Sequence, residues 1–244
     1  MENKWRFQQQ VKAPGIGDLR AVKFIINIIS RSRFLTSFLI DAMLRLQYMT
    51  YRGLTYLTPF LEPDHLHPKH RIMAYHDWFL LHIDKNWTVL DVGCGNGALT
   101  LDLAKHTGKV VGIDNNSHKI HEAKAKYRRE NIDYIQGDAI TYSYSQKFDA
   151  IVLSNVLEHI AERRKFLNHL SQFSDIFLIR VPMLDRDWLT LYKKERNMPY
   201  LLDPTHHVEY TLESFMEEVS KADLKVNEHR VRFGELYAIC HKTS

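Results

Sequence analysis

Apolar and polar positions follow two different periods along this chain. Over residues 20–50 the apolar residues fall at helical spacing: Phe24, Ile25, Ile28 and Ile29, then Leu35, Phe38, Leu39, Met43 and Leu46. Arg20, Lys23, Arg31, Arg33 and Arg45 lie between them, so the pattern predicts one broken helix or two helices. Pro59, Pro63 and Pro68 punctuate the loop that follows. Helical spacing returns over 69–83 through Ile72, Tyr75, Phe79 and Leu80.

Beyond residue 88 the period changes. Short apolar runs at 89–92, 109–113, 132–136, 148–154 and 175–181 predict buried strands. Helical stretches separate most of them: one capped by Ser117 and running to about 130, another over 160–173. Residues 182–210 predict a long irregular segment, after which Thr211 caps a helix with Leu212, Phe215, Met216, Val219 and Ala222 on one stripe. Strands at 225–231 and 235–240 close the chain as a hairpin around Phe233 and Gly234. Strands alternating with helices imply a parallel sheet, and the terminal hairpin adds one antiparallel strand. The expected fold is α/β: a doubly wound, Rossmann-like sheet with N-terminal helices. The division expected is a helical extension over 1–64 and a single domain over 65–244.

The most informative run is Val89-Leu90-Asp91-Val92-Gly93-Cys94-Gly95-Asn96-Gly97. A strand meets three glycines, and Ala98, Leu99, Leu101 and Leu103 then begin a helix. Such a turn lets a ligand approach the backbone closely and meet free N–H groups at the helix start. The dinucleotide fingerprint is G-x-G-x-x-G, whereas here the third glycine comes one residue early. The lysine and hydroxyl of a P-loop are missing too, since Ala98 and Leu99 follow Gly97.

Composition excludes more than it selects. The 244 residues suffice for one α/β domain with an accessory segment, and a net charge of +4 with mixed signs demands no nucleic acid. Cys94 and Cys240 supply neither a metal site nor a disulfide framework, which fits a reducing compartment. Residues 1–19 read as a loose arm; their first fifteen are polar, so no secretory signal is expected, and no run is long enough to span a membrane. The expected location is cytoplasmic. Basic and apolar residues alternating over 20–50 leave peripheral membrane contact open, against a plain cap on the domain.

In a doubly wound sheet, ligands sit outside the carboxyl ends of the strands. Asp114, followed by Asn115, closes the second strand, and its carboxylate can accept two hydrogen bonds from a ribose diol. Asp138 follows the third strand and can accept from an adenine amino group, with the Ala139 N–H on the ring. Asn155 follows the fourth strand. Asp91 is placed against the glycine turn or a ligand ammonium.

Together these residues resemble the successive motifs of the class I S-adenosylmethionine-dependent methyltransferases: 89–100, Asp114, Gly137-Asp138, and 148–159 ending in His159. The likeness spans about residues 85–180. His206, Tyr210 and Thr211 before a striped helix also resemble the family's later motif. The resemblance implies a seven-stranded sheet with one reversed strand. It implies S-adenosylmethionine as cofactor, held by Asp91, Gly93, Cys94, Gly95, Gly97, Asp114, Asn115, Asp138, Ala139 and Asn155. It also implies transfer of a methyl group. No Asn/Asp-Pro-Pro-Tyr/Phe motif or cysteine nucleophile follows the fourth strand, so methylation of a nucleic-acid base is not expected, and no specific nucleic-acid motif is present. The expected acceptor is a small or glycan-like molecule, methylated at oxygen. A protein or RNA acceptor, or a membrane-surface scaffold that retains the fold, are the rivals.

Histidine is the obvious base type for a hydroxyl acceptor near neutral pH. His159 and His206 are the catalytic candidates; His207, Trp188, Tyr192 and Tyr210 are candidates for acceptor contact. Glu158 beside His159 lacks metal-ligand spacing, so no metal site is expected. The oligomeric state stays open.

Overall fold

A computed structural model describes residues 20–62 and 67–243. The loose arm expected over 1–19, and Pro63, lie outside them. The chain divides into two compact units between Thr58 and Pro59.

In the first unit, α1 (Arg20–Ser30) and α2 (Arg33–Leu57) are two helices. Ser32 separates them and caps α2, its side chain accepting from the Leu35 N–H. Phe24, Ile25, Ile28, Phe34, Phe38, Met43, Leu46 and Met49 are all exposed, Phe34 to 79%.

The second unit starts with two short helices, α3 (Lys69–Met73) and α4 (Tyr75–Leu80), in place of the single helix expected over 69–83. Ala74 between them is left-handed at φ 46°, which breaks the helical hydrogen-bond run. The rest alternates: β1 (Thr88–Val92), α5 (Ala98–Ala104), β2 (Lys109–Asp114), α6 (Ser117–Lys126), β3 (Ile132–Gln136), β4 (Ala150–Ser154), α7 (Arg163–Leu170) and β5 (Ile176–Pro182). Then come α8 (Trp188–Glu195), α9 (Leu212–Ser220), β6 (Leu224–Arg232) and β7 (Glu235–Lys242).

Three local differences from the sequence reading have clear causes. Asn116, not Ser117, caps α6, accepting from the His118 and Lys119 N–H groups. The helix expected from residue 160 starts only at Arg163, because Ile160 is extended and a 3₁₀ turn, Leu157–His159, occupies the exit of β4. The segment 182–210 contains α8, capped by the Asp187 carboxylate on the Thr190 N–H.

The strands form one seven-stranded sheet in the order β3-β2-β1-β4-β5-β7-β6. β7 runs antiparallel to both β5 and β6, and the other neighbours pair in parallel. Side chains alternate across the sheet, so each central strand fills two cores. Leu90, Val92, Ile113, Ile151 and Leu153 pack on one face with Phe166 and Leu170 of α7 and Phe215 and Val219 of α9. Val89, Val110, Val152 and Leu178 pack on the other with Trp78 and Phe79 of α4 and Leu99 and Leu103 of α5. Each such side chain contributes about 1.5–3 kcal/mol by leaving water. The order reverses beside β1, between outward growth to β2-β3 and to β4-β5, which places a crevice at the carboxyl ends of β1 and β4.

Candidate active site

A cavity of about 480 Å³ occupies this crevice. Its wall takes Gly93 from the β1 exit, Asp114 and Asn115 from the β2 exit, Asp138 and Ala139 from the β3 exit, and Asn155 and His159 from the β4 exit. These are seven of the residues expected from the sequence, gathered from four strand ends.

The glycine turn is held in a way the sequence did not reveal. Gly93 and Cys94 both donate their N–H groups to the Ile113 carbonyl, at 2.8 and 3.1 Å. Gly95 donates to Asp114 Oδ2 at 2.9 Å, and Gly97 donates to the Cys94 carbonyl at 3.0 Å. Four amides of the turn are therefore engaged within the protein. These bonds fix the turn, whereas the N–H groups expected to meet a ligand are those at the start of α5, from Ala98 on. Gly97 starts α5 at φ 86°, and a Cβ there would lie 2.5 Å from the Tyr134 hydroxyl. Gly95 has φ 56°, but a Cβ there would meet nothing within 4 Å. Gly97 thus serves close packing of the turn against β3, while Gly95 serves the chain reversal beside open space.

Two residues expected to hold the cofactor lie outside the cavity wall. Asp91 has the parity of Val89 in β1, so its side chain points to the α5 face. It is buried, and Thr100 of α5 donates its hydroxyl to Asp91 Oδ2 at 2.6 Å. Burial pushes its pKa up to about 7. Cys94 is buried against Gly112, and burial drives its thiol pKa upward. Neither lines the cavity.

Asp114 does line it, and its carboxylate bridges two turns, accepting from the Gly95 N–H and, at 2.8 Å, from the Asn116 N–H. Each carboxylate oxygen keeps a second lone pair for a ligand hydroxyl. Asp138 Oδ1 accepts from the Ile140 N–H at 3.0 Å. Asn155 sits at φ 56°, and its side-chain Oδ1 accepts from Arg180 Nε at 2.6 Å. Arg180 is itself buried, paired with Glu235 at 3.0 Å and stacked 3.6 Å over the Tyr75 ring. Its guanidinium fixes the amide of Asn155 so that the NH₂ group remains for the cavity.

Beside the cavity two histidines meet, of which His159 lines the wall and His206 stands behind it. The rings of His159 and His206 stand edge to face, 4.6 Å between centroids, although 46 residues separate Thr205 from His159. His159 Nδ1 lies 2.9 Å from Thr205 Oγ1, and Thr205 donates its hydroxyl to Asp203 Oδ1 at 2.6 Å. Because that hydroxyl proton goes to Asp203, His159 donates through Nδ1. His206 Nδ1 lies 2.9 Å from Glu209 Oε1, so His206 also donates there. Burial would raise the Glu209 carboxyl, but hydrogen bonds from His206 and Leu202, with the Arg186 guanidinium, outweigh it and hold it low. Burial, then the neighbouring His206, lowers the His159 pKa, which favours neutral imidazole. Between them, Glu158 is fully buried with neither carboxylate oxygen bonded, and burial pushes its pKa up to about 8.

The acceptor candidates divide. His207 is exposed and donates its backbone N–H to the Glu158 carbonyl. Trp188, 73% exposed, and Tyr192 stand on α8, outside the cavity wall. Tyr210 is core: fully buried, it donates its hydroxyl to Glu218 Oε2 at 3.0 Å and packs on Phe215. Its place in the later motif therefore reflects packing under α9 rather than acceptor contact. The sequence reading missed Thr205 and Lys119, which line the cavity, and Asp203 and Glu209, which orient the histidines. Glu209, three residues after His206, was the one detectable signal.

Residues 89–174 match the family model described as a methyltransferase domain. The chain is 38% identical over 84 residues to the ubiquinone biosynthesis O-methyltransferase of Coxiella burnetii, covering 33% of this chain and 36% of that protein. It is 26% identical over 133 residues to the protein of the same name from Erwinia tasmaniensis, covering 50% and 55%. The chain thus spans between about a third and about half the length of these curated relatives. The magnesium protoporphyrin IX methyltransferase of Synechocystis PCC 6803 with bound SAH shares the fold, with a TM-score of 0.57 at 16% identity, over 72% of this chain and 83% of that one.

Proposed function

We propose that this chain, which carries a class I methyltransferase domain, transfers a methyl group from S-adenosylmethionine to a hydroxyl of a small-molecule acceptor. The observation that carries this reading is the pair of carboxylates at successive strand ends, Asp114 and Asp138, which line the crevice and fit the donors of a ribose diol and an adenine amine. Gly93, Asn115, Ala139 and Asn155 complete that half of the wall.

Transfer needs orientation first. S-adenosylmethionine supplies an activated methyl: the acceptor oxygen bonds to its carbon as the C–S bond breaks and the electron pair returns to sulfur. The acceptor's proton is drawn off through the cluster of Glu158, His159 and His206. The O-methyltransferase names of the relatives support oxygen as the atom. Trp188 and Tyr192, standing off the cavity wall, lend no support to a glycan in particular.

Calorimetry with S-adenosylhomocysteine tests the cofactor: micromolar binding that NAD does not match is expected, and preference for NAD would reject the reading. Mass spectrometry of candidate hydroxyl acceptors incubated with labelled cofactor tests the transfer.

The first unit supports a further partner, an anionic membrane surface. No helix of the described residues is long and apolar enough to cross a membrane. Residues 23–57 nevertheless hold five basic residues against one acid, among exposed apolar side chains. Flotation with anionic vesicles should carry the intact chain and leave behind one lacking residues 1–58. Equal behaviour of the two would refute the partner.

A further inference from the structure

The acceptor-side cluster contains an anomaly that methyl transfer alone does not explain. Glu158 is wholly enclosed, and neither of its oxygens has a hydrogen-bond partner. Buried carboxyl groups are ordinarily paired or bound to a metal. Two imidazoles stand close to it, and the Arg180 guanidinium acts on it electrostatically without a hydrogen bond. One ligand atom from each of Glu158, His159 and His206 lies within 4.8 Å of the other two.

The orientation of those imidazoles is the second observation. Each has Nδ1 engaged with an oxygen: His206 with the Glu209 carboxylate directly, and His159 with the Asp203 carboxylate through Thr205. Glu209 is in turn held by Arg186. With Nδ1 donating in both rings, Nε2 carries the lone pair. Metal-binding histidines are held in this way, one ring nitrogen fixed by a carboxylate or hydroxyl so that the other faces the ion.

We propose that Glu158, His159 and His206 form a binding site for a divalent transition-metal ion of the zinc class. Two imidazoles and a carboxylate suit zinc and its first-row neighbours, whereas magnesium and calcium prefer all-oxygen sets. Ligand atoms on one tetrahedral ion stand about 3.4 Å apart, so tips within 4.8 Å close on it by about an ångström of side-chain motion. Three protein ligands leave a position open, as in metal sites that act on a bound oxygen. His159 is exposed and lines the cavity, so that position opens toward the acceptor. A metal there lowers the pKa of a bound hydroxyl: the proton leaves to water when the oxygen coordinates, and the oxygen then attacks the methyl carbon. That last step rests on the methyl-transfer reading; metal capture does not.

The test uses the full chain, stripped with chelator and titrated with cobalt(II). One equivalent should bind, give visible d–d absorption of a four- or five-coordinate site, and be displaced by zinc(II). Glu158→Gln and His206→Gln should each weaken cobalt binding at least 100-fold, and Glu209→Gln about 10- to 100-fold. His121→Gln, on the exposed surface of α6, should leave it unchanged. Absence of stoichiometric cobalt and zinc uptake by the folded wild-type chain would overturn the site, whatever the variants do. So would uptake undiminished in both ligand variants. S-adenosylhomocysteine binding, measured alongside, separates the two ideas. Cobalt without cofactor binding leaves the metal site and rejects methyl transfer; cofactor without cobalt does the reverse.

Discussion

The two ends of the cavity are built on opposite principles. At the glycine end, four amides of the turn bond inside the protein, and Asp114 ties two turns together. The parts come from neighbouring strand exits, and the backbone sets the shape. At the histidine end, the parts are side chains from the β4 exit and from the loop before α9. One of them, Glu158, is buried without a partner. A wall shaped by such bonds is a mould that still offers a ligand the spare lone pairs of Asp114 and the NH₂ group of Asn155. A wall with an unpaired carboxyl and two aligned imidazoles keeps free valence for chemistry. The lesson is to look for binding where polar groups are fixed by one partner and still have capacity for a second, and for reaction where a buried group has none.

The largest expected effect lies at the histidine end. If His206 serves the reacting hydroxyl, His206→Ala should lower turnover about 10²–10⁴-fold while S-adenosylhomocysteine affinity stays within a few-fold. A loss confined to KM would make His206 a positioning residue instead. Equal losses of affinity and turnover would erase the distinction between the two ends.

The glycine end should respond in stability and affinity, and differently at two neighbouring positions. Gly97→Val pushes a side chain into Tyr134 at a left-handed backbone position, so it should cost about 2–5 kcal/mol of stability. Gly95→Val has open space around its Cβ and should cost about 1–2 kcal/mol of backbone strain, yet remove cofactor binding. Denaturant melts and calorimetry on both variants check this. Normal cofactor affinity in Gly95→Val would reduce Gly95 to a turn residue.

Asp114→Ala should weaken S-adenosylhomocysteine about 10- to 100-fold, the loss of one or two charge-assisted hydrogen bonds at ~1.5–3 kcal/mol each, partly replaced by water. Because Asp114 also holds Gly95 and Asn116, an unchanged affinity would show that the mould forms without it.

The glycine end was legible in the sequence because its signals are local. A strand, a turn and an acid at the next strand's end occur in fixed order, and Gly93, Asp114, Asp138 and Asn155 reach the cavity as expected. Asp91, expected against the glycine turn or a ligand ammonium, shares the parity of Val89 and bonds Thr100 in the first turn of α5. The histidine end was half legible. His159 and His206 were singled out, and Glu209 lies three residues after His206, but nothing local ties this stretch to His159, since a loop brings residues 46 apart into hydrogen-bond range. Tyr210 matched a motif and proved to be core, because an aromatic before a helix cap packs as readily as it binds.

The smallest expected effect concerns Asp91, under the mould. Burial beneath α5 raises its folded pKa to about 7, against the opposing hydrogen bond from the Thr100 hydroxyl. An aspartate in the unfolded chain titrates near 4. Between these values the native state holds a proton that the unfolded state releases. Stability from this group is therefore complete below about pH 4 and is lost as pH rises through about 7, at up to ~1.4 kcal/mol per pH unit. Asp91→Asn keeps the shape and an acceptor for Thr100 but removes the titration. Urea midpoints of the two proteins between pH 4.5 and 8 should diverge, the variant gaining on the wild type as pH rises. Parallel curves would mean that Asp91 is ionised in the folded protein at neutral pH, with a compensating cation at the ligand side, and the mould would then carry charge where it now has a neutral acid.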